Sequence, residues 1–315
     1  MLRLFPLFLV VAFASTAVAE YEIVRDDDGL TIKHDGQLLT RYVIKSGSKP
    51  ILYPVLGPDG IPMTRRYPIE EAGEHEREDH PHHRSIWFTH GDVNGIDFWA
   101  EKEGAGQTVH ESFEEISDGK TAKVVTKNRW EDAEGNIVGR DVRTLSFGTD
   151  HGMQYIDFDI TFIAGEKEVT FGDTKEGSFG IRVPGTMKVD AKRGGAIVNS
   201  EGLKDKEAWA KRATWVDYYG PVHDKTGEEK TVGIAILNHP TSYNFPTYWH
   251  VRTYGLFAAN PFGRRDFEGK DAESGAHVIA PGGKMHLRYR VLLHEGTTKD
   301  AGIAAAFERY QKVEK

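Results

Sequence analysis

A period-two alternation of apolar and polar residues constrains this chain more than any other feature. In residues 155–162, Ile156, Phe158, Ile160 and Phe162 alternate with polar residues. Successive side chains of a strand point to opposite faces, so this pattern predicts a strand with one buried and one solvated face. Weaker runs of the same kind predict strands at 21–25, 30–34, 38–44, 121–130, 140–147, 179–183, 232–237 and 285–294. Asp-Gly turn signals separate several of them. The sequence therefore predicts an all-β fold, a large antiparallel β-sandwich.

Only two segments have the spacing of helices. Residues 299–313 place Ile303 and Phe307 on one apolar stripe, which predicts a C-terminal helix packed outside the sandwich. Residues 205–212 predict a second, shorter helix. No linker, repeat or low-complexity tract interrupts the pattern, so we expect residues 20–315 to form a single β-sandwich domain.

The first nineteen residues have the order of parts found in a secretory signal peptide. Arg3 precedes an apolar run at 4–14, and the small residues Ala17 and Ala19 stand where a signal peptidase would read them. The run is short for a membrane span. We therefore expect residues 1–19 to be removed, and the mature chain to be periplasmic or secreted and free of the membrane.

Charge and cysteine content exclude some classes of function. The chain has a formal net charge of −8, whereas binding to nucleic acid requires a basic surface, so we expect no nucleic-acid partner. It contains no cysteine, which excludes disulfides and thiol chemistry.

Residues 79–99, DHPHHRSIWFTHGDVNGIDFW, are unusually rich in histidine. Four of the chain's 14 histidines fall within eleven positions, namely His80, His82, His83 and His90. Imidazoles titrate near neutral pH, so we regard the last three as candidate catalytic residues. The same histidines could instead hold a divalent metal, since His-x-His is a common ligand pattern, or could satisfy buried backbone groups in a loop. If the segment is extended, His82 and His83 face opposite ways. The segment also supplies three candidate substrate-binding residues, Arg84, Trp87 and Asp92.

Two further segments carry chemistry. FGDTKEGSFGIRV, residues 171–183, places Glu176 at a predicted strand start, where its carboxylate could reach into a cleft. We therefore select Glu176 as a candidate catalytic residue and its neighbour Lys175 as a candidate substrate-binding residue. NFPTYWHVRTYGLFAANPFG, residues 244–263, interleaves aromatic rings with charged donors. Rings stack on the apolar face of a pyranose, and charged donors bind hydroxyls or a carboxylate. From this segment we select His250 as catalytic, and Tyr248, Trp249 and Arg252 as substrate-binding.

These segments, together with NSEGLKDKEAWAKRATWVDYYGP at 199–221, resemble a secreted bacterial family labelled "methane oxygenase PmoA-like". That family is similar to the galactose-mutarotase-like supersandwich, a large antiparallel β-sandwich found in sugar epimerases, some polysaccharide lyases and glycoside-hydrolase domains. The resemblance implies carbohydrate chemistry with a carboxylate base and a histidine acid. Glu176 is then the base, and the acid is one of His82, His83, His90 and His250.

Three functions follow as hypotheses. The leading one is a carbohydrate-active enzyme that uses His/Glu acid–base chemistry on a sugar or oligosaccharide, as a mutarotase or epimerase, a lyase or a glycosidase. Glycoside cleavage would need a second carboxylate, for which Asp92, Asp97 and Asp173 are candidates, or an already oxidised sugar. The alternatives are a metal-dependent enzyme built on the histidine cluster and a non-catalytic glycan-binding module.

Overall fold

The computed structural model describes residues 20–314 as eighteen strands and two α-helices. The predicted signal peptide, residues 1–19, lies outside the described residues. The strands are β1 (Tyr21–Asp26), β2 (Gly29–His34), β3 (Gln37–Ser46), β4 (Lys49–Val55), β5 (Ile86–His90), β6 (Gln107–Ser117), β7 (Ala122–Glu131), β8 (Ile137–Asp150), β9 (Met153–Ala164), β10 (Val169–Phe171), β11 (Gly177–Arg182), β12 (Ala196–Asn199), β13 (Trp215–His223), β14 (Glu229–Asn238), β15 (Tyr248–Val251), β16 (Leu256–Asn260), β17 (His277–Ile279) and β18 (Lys284–Glu295). The helices are α1 (Arg264–Glu268) and α2 (Ile303–Tyr310).

The strands form two eight-stranded sheets and one small ribbon. The first sheet has the order β1-β2-β3-β4-β5-β11-β16-β15, and the second has the order β12-β13-β14-β18-β9-β8-β7-β6. The ribbon pairs β10 with β17. All pairings between the named strands are antiparallel. The prediction of a large antiparallel β-sandwich with a C-terminal helix is confirmed.

One large apolar core joins the two sheets. Phe179 of the first sheet stacks on Tyr289 of the second at 4.9 Å and contacts Phe158 of β9 at 4.7 Å between ring centroids. The predicted alternation of β9 is confirmed, since Ile156, Phe158, Ile160 and Phe162 are buried while the polar residues that alternate with them are partly exposed. Burial of such side chains is the main driving force of the fold.

One of the two predicted helices forms and the other does not. Helix α2 lies within the predicted segment and buries Ile303 and Phe307. The predicted helix at 205–212 is wrong, because only a 3-10 turn forms at Asp205–Ala208. Asp205 and Ala210 have φ angles of 49° and 63°, outside the right-handed helical region, so a helix cannot propagate between them. No helix within residues 20–314 is long and apolar enough to cross a membrane.

The outer face of the first sheet carries a smaller apolar cluster. Its buried members include Trp87 of β5, Leu256 of β16 and Trp99, which lies in the connection from β5 to β6. Gly180 of β11 makes room for this cluster, because a Cβ there would lie 2.6 Å from the Trp87 ring. The predicted functional segments meet over this face.

Candidate functional site

Three histidines come together in a tight turn above strand β5. The backbone N–H of His83 donates to the carbonyl of His80 at 2.9 Å, which closes a turn with Pro81 at the second position, where its fixed φ angle suits a turn. His80 and Ser85 have φ angles of 44° and 54°, so the chain is extended only from Ile86 onward. The extended-chain expectation that His82 and His83 face apart is therefore wrong. Their rings lie 4.4 Å apart, edge to face.

The turn stacks four aromatic rings outward from the sheet. Trp87 lies at the base, His83 stacks on it at 5.4 Å, His80 follows at 4.8 Å and Tyr254 at 5.6 Å, with interplanar angles of 10–19°. His82 packs edge-on against the middle of this stack. Trp87 is buried, so it supports the histidines from below and does not present its own face to a ligand.

A buried arginine shapes the loop that carries the histidines. Arg65 is 1% exposed and donates hydrogen bonds to the carbonyls of Asp79, His80 and His83 at 2.8–3.1 Å. Burial lowers the pKa of Arg65 to about 10, so it is still charged at neutral pH. A buried cation needs such partners, and here the loop's backbone carbonyls supply them. No sequence pattern indicated this role.

Arg182 determines the tautomer of His83. Its Nη1 donates to His83 Nδ1 at 2.9 Å, and its Nη2 donates to Asp79 Oδ1 at 2.9 Å. A guanidinium has no acceptor, so Nδ1 must carry the lone pair and Nε2 the proton. Burial, with the neighbouring His82 and Arg182, lowers the pKa of His83 well below its ordinary value. His83 is therefore a neutral imidazole at neutral pH.

Glu176 lies where the chain enters β11, as the sequence predicted. Its side chain is 38% exposed, and Oε1 pairs with Lys175 Nζ at 2.8 Å. The backbone around it is held on two sides, because the Glu176 carbonyl accepts from Gly91 N at 2.6 Å and the Lys175 carbonyl accepts from His250 Nδ1 at 2.7 Å. This anchored carboxylate can face a ligand while its backbone stays fixed.

His250 has the opposite tautomer to His83. Its Nδ1–H donates to the Lys175 carbonyl, which leaves the lone pair on Nε2. Burial lowers the pKa of His250 to about 4, and the opposing charge of Glu176 only partly offsets this. Nε2 of His250 is thus a hydrogen-bond acceptor or weak base that stays neutral at neutral pH.

Charges of both signs act on the pKa of His82. Burial and the Lys49 charge lower the pKa of His82 to about 4, while Glu101 and Glu176 act against them. Glu176 likewise counteracts the effect of burial on the pKa of His80. One carboxylate therefore acts electrostatically on imidazoles from two distant segments.

Lys49 and Arg84 share one carboxylate beside the histidines. Lys49 Nζ lies 2.9 Å from Glu101 Oε1, and Arg84 Nη2 lies 2.8 Å from Oε2. The Lys49 side chain is 0% exposed. Arg84 was predicted to bind substrate, but the structure places its guanidinium in this ion-pair cluster.

Arg252 and Tyr254 lie in a tight hairpin that joins β15 to β16, beside the histidine turn. Arg252 N donates to the Leu256 carbonyl at 2.7 Å, and Gly255 turns the chain with a φ angle of 103°. The Arg252 guanidinium lies over the rings of Trp209 and Tyr254 at 5.4 and 5.8 Å. Tyr254 also lies under Arg182 at 4.8 Å.

Three other predicted residues lie apart from the histidine turn. His90 is fully buried in the core, where Nε2 donates to the Gly172 carbonyl at 2.8 Å and Nδ1 accepts from Ser178 Oγ at 3.1 Å. Trp249 faces the core and donates Nε1–H to the Ala213 carbonyl. Tyr248 shares the face of His250, but its hydroxyl is hydrogen-bonded to Glu268.

The three candidate second carboxylates have local structural roles. Asp92 accepts from the backbone N–H of Gly95 at 2.9 Å within its own turn. Asp97 accepts from the backbone N–H groups of Trp99 and Ala100 and pairs with a lysine. Asp173 accepts from the backbone N–H groups of Arg265 and Gly275. The acids that reach the histidine cluster are instead Glu176, Glu101 and Asp79.

The histidine turn has the spacing of a metal site but unsuitable surroundings. Ring nitrogens of His80, His82 and His83 lie within 4.8 Å of one another. A metal-bound histidine normally donates its other N–H to an acceptor, whereas His83 Nδ1 accepts from Arg182. A divalent cation would also lie close to this guanidinium and to Lys49, which repel it.

Comparison with known proteins gives a family but no activity. A family model described as "Family of unknown function (DUF6807)" matches residues 29–308. No curated protein matches the chain. The PmoA-like resemblance stays a prediction.

Three solved structures are similar to this chain at low identity. A beta-arabinopyranosidase aligns at 8% identity and a TM-score of 0.32, over 87% of this chain and 38% of its own. An alpha-galactosidase from Lactobacillus brevis aligns at 10% identity and a TM-score of 0.39, over 87% of this chain and 39% of its own. A galactose mutarotase related enzyme from Lactobacillus acidophilus aligns at 9% identity and a TM-score of 0.30, over 88% of this chain and 98% of its own. The chain spans less than two fifths of the length of the first two.

Proposed function

We propose that this chain, which belongs to the family of unknown function DUF6807, is an enzyme that moves protons on a sugar or oligosaccharide. One observation carries the proposal: the Glu176 carboxylate acts on His80, His82 and His250, which come from separate segments of the chain. Titratable groups with perturbed pKa values that gather in one place are typical of catalytic sites.

In this proposal Glu176 is the base and a neutral imidazole is the proton donor. Because the pKa values of His82 and His250 lie near 4, neither is an imidazolium at neutral pH. The neutral His82 imidazole can still donate an N–H to a developing oxyanion, as a hydrogen-bonding electrophile, whereas the N–H of His250 is already bound to the Lys175 carbonyl. In a mutarotation, Glu176 takes the proton of the anomeric hydroxyl, the bond from the anomeric carbon to the ring oxygen breaks, and the ring oxygen takes the N–H proton of the imidazole. Ring closure on the other face of the resulting aldehyde returns one proton to the imidazole, and Glu176 gives its proton to the new anomeric hydroxyl. Acid–base catalysis of this kind contributes about 10²–10⁴-fold.

The aromatic rim of the site supports a sugar as the substrate. Tyr254, the outermost ring of the stack, is half-buried, and Trp209 is half-buried under Arg252. Such rings bind the apolar face of a pyranose while nearby polar groups bind its hydroxyls. At neutral pH the His82 and His83 imidazoles of the turn are uncharged. Their ring nitrogens therefore match the neutral hydrogen-bond donors and acceptors of sugar hydroxyls.

The number of carboxylates available at the site favours isomerisation or elimination of the sugar over glycoside hydrolysis. Classical glycoside hydrolysis needs two carboxyl groups on either side of the scissile bond. Of the acids at the cluster, Asp79 Oδ1 accepts from both Arg65 and Arg182, and Glu101 accepts from Lys49 and Arg84. Asp79 and Glu101 are therefore each bound by two cations and have a structural role. Glu176 is the acid that is left for the reaction.

Location outside the cytoplasm remains part of the proposal. It rests on the sequence of residues 1–19, with its early arginine, apolar run and small residues before Glu20. A sugar supplied outside the cell would suit such a location.

The test is turnover of a panel of sugars and glycosides by the wild-type chain and Glu176→Gln. NMR of the anomeric protons follows mutarotation, and mass spectrometry follows elimination or cleavage. We expect Glu176→Gln to lower kcat about 10²-fold or more, because glutamine keeps the shape but cannot accept the proton. The matched control, Glu166→Gln, removes a carboxylate from an exposed turn and should leave turnover unchanged.

Two results would contradict the mechanism. Equal turnover by Glu176→Gln and the wild type would remove Glu176 as the base. Calorimetric binding of a glycan without any product would instead identify a glycan-binding module.

A further inference from the structure

We infer that the sugar bound at this site is acidic, and that the Arg252 guanidinium binds its carboxylate. This inference rests on the proposed function and narrows its substrate to a class, that of uronic acids and oligosaccharides containing them.

The charged groups around the histidine turn are not balanced. Arg65 and Arg182 both donate to Asp79 Oδ1, each at 2.9 Å, so two cations share one anion. Two further cations share Glu101 in the same way. With Lys175 and Glu176 paired one to one, these ion pairs join five cations to three carboxylates, while Glu76 and Asp97 act on Arg65 and Lys49 from outside the pairs.

Arg252 adds a cation that has no acid partner. Its guanidinium lies over Trp209 and Tyr254, and within residues 20–314 no carboxylate lies within ion-pair distance of it. Its guanidinium N–H groups make no hydrogen bond to another residue of 20–314, so they are available to a ligand. An arginine held between two rings in this way is suited to receive a planar anion.

The surplus is local and does not reflect the composition of the chain. The formal net charge is −8, so the protein as a whole repels anions. The histidines add no positive charge at neutral pH, because burial lowers the pKa of His82 and of His250 to about 4. The cations at the site are therefore arginines and lysines.

A carboxylate on the sugar ring fits these positions best. Arginine binds planar carboxylates through two parallel N–H···O bonds, which fixes their orientation as well as their charge. In the pyranose form of a hexuronic acid, the anomeric carbon and the carbon that bears the carboxylate are both bonded to the ring oxygen. Arg252 and Glu176 both act on the pKa of His250, so both charges lie near this residue, and one sugar ring could contact both.

The experiment compares each acid with its own uncharged form. D-glucuronate, D-galacturonate and D-mannuronate are titrated by calorimetry against the full chain, each beside its methyl ester and D-galactose 6-sulfate. The proteins are the wild type, Arg252→Gln and Arg252→Lys. The matched control is Arg25→Gln, because Arg25 also lies over one ring, Phe113 at 5.3 Å, but at the far edge of the first sheet.

We expect at least one uronate to bind more tightly than its ester. Arg252→Gln should weaken binding of the acid by about 10- to 100-fold and leave binding of the ester unchanged, since only a charge-assisted bond is lost. Arg252→Lys should recover part of the loss, and Arg25→Gln should bind like the wild type.

The outcomes separate this inference from the proposed function. Equal binding of acid and ester, or tighter binding of the sulfate than of every uronate, would overturn the inference even if neutral sugars are turned over through Glu176. Tight binding of a uronate with turnover indifferent to Glu176→Gln would support the inference and overturn the mechanism. If no sugar binds, both are wrong.

Discussion

Removing the charge of Glu101 should destabilise the fold, because it leaves a buried lysine without its counter-ion. Glu101 Oε1 lies 2.9 Å from Lys49 Nζ, whose side chain is 0% exposed, while the Glu101 and Arg84 side chains are each 16% exposed. Breaking a fully buried ion pair by removing one partner costs about 3–5 kcal/mol. Because Glu101 and Arg84 keep some contact with water, we expect Glu101→Gln to cost about 3 kcal/mol, the lower end of that range. For a chain of this size that corresponds to a Tm lower by about 6 °C.

The assay is urea denaturation at pH 7, with an exposed ion pair as the control. Glu115 lies 2.8 Å from Lys123, but the two side chains are 49% and 40% exposed, so Glu115→Gln should cost less than about 1 kcal/mol. Adding Lys49→Met to Glu101→Gln should recover stability, because it removes the orphaned ammonium. If Glu101→Gln and Glu115→Gln lowered the free energy of unfolding equally, burial of the Lys49–Glu101 pair would not explain its contribution to stability.

The same pair predicts a pH dependence of definite sign. Burial alone would raise the pKa of Glu101, but Arg84 and Lys49 outweigh it and hold the pKa below the ordinary 4.5. A depressed folded-state pKa contributes stability above pH 4.5, and the contribution is lost as the pH falls through the folded value. The wild type and Glu101→Gln should therefore converge in stability in acid. A difference that stays constant down to acid pH would contradict this.

Three further predictions concern the histidines and the N-terminus. By NMR, the His82 ring should titrate with a pKa near 4, and a midpoint near 6.5 would mean that it is not buried as the structure has it. Elemental analysis should find no stoichiometric metal, because Arg182 donates to His83 Nδ1, and stoichiometric zinc, iron or copper lost in His82→Ala would refute this. Sequencing of the exported chain should begin at Glu20, and a chain retaining residues 1–19 would exclude signal cleavage.

Residue chemistry was sufficient to select several residues of the candidate site. Glu176, His82, His83, His250 and Arg252 were selected because carboxylates, imidazoles and a guanidinium among aromatic rings suit sugar chemistry. The structure brings them to the outer face of the first sheet. The same reasoning could not separate them from His90, because nothing in its local sequence shows that both of its ring nitrogens are hydrogen-bonded inside the core.

The residues that organise the site were missed because their partners are distant in the chain. Arg182 donates to Asp79, 103 residues earlier, and to His83, 99 residues earlier. Arg65 holds the histidine turn through backbone carbonyls, which every residue type possesses. Neither contact produces a periodicity, a spacing or a motif that a reader of the sequence could find.

By itself the sequence determined the class of fold, because the two-residue period of its apolar side chains allows little except strands that bury one face. It also supplied the reactive groups. Only the tertiary structure decided which of them meet, since two left-handed residues, His80 and Ser85, turn the chain and bring histidines from opposite expected faces into contact. The tertiary structure also decided their protonation, because the pKa of an imidazole depends on its burial and on neighbouring charges, and both are properties of the folded chain.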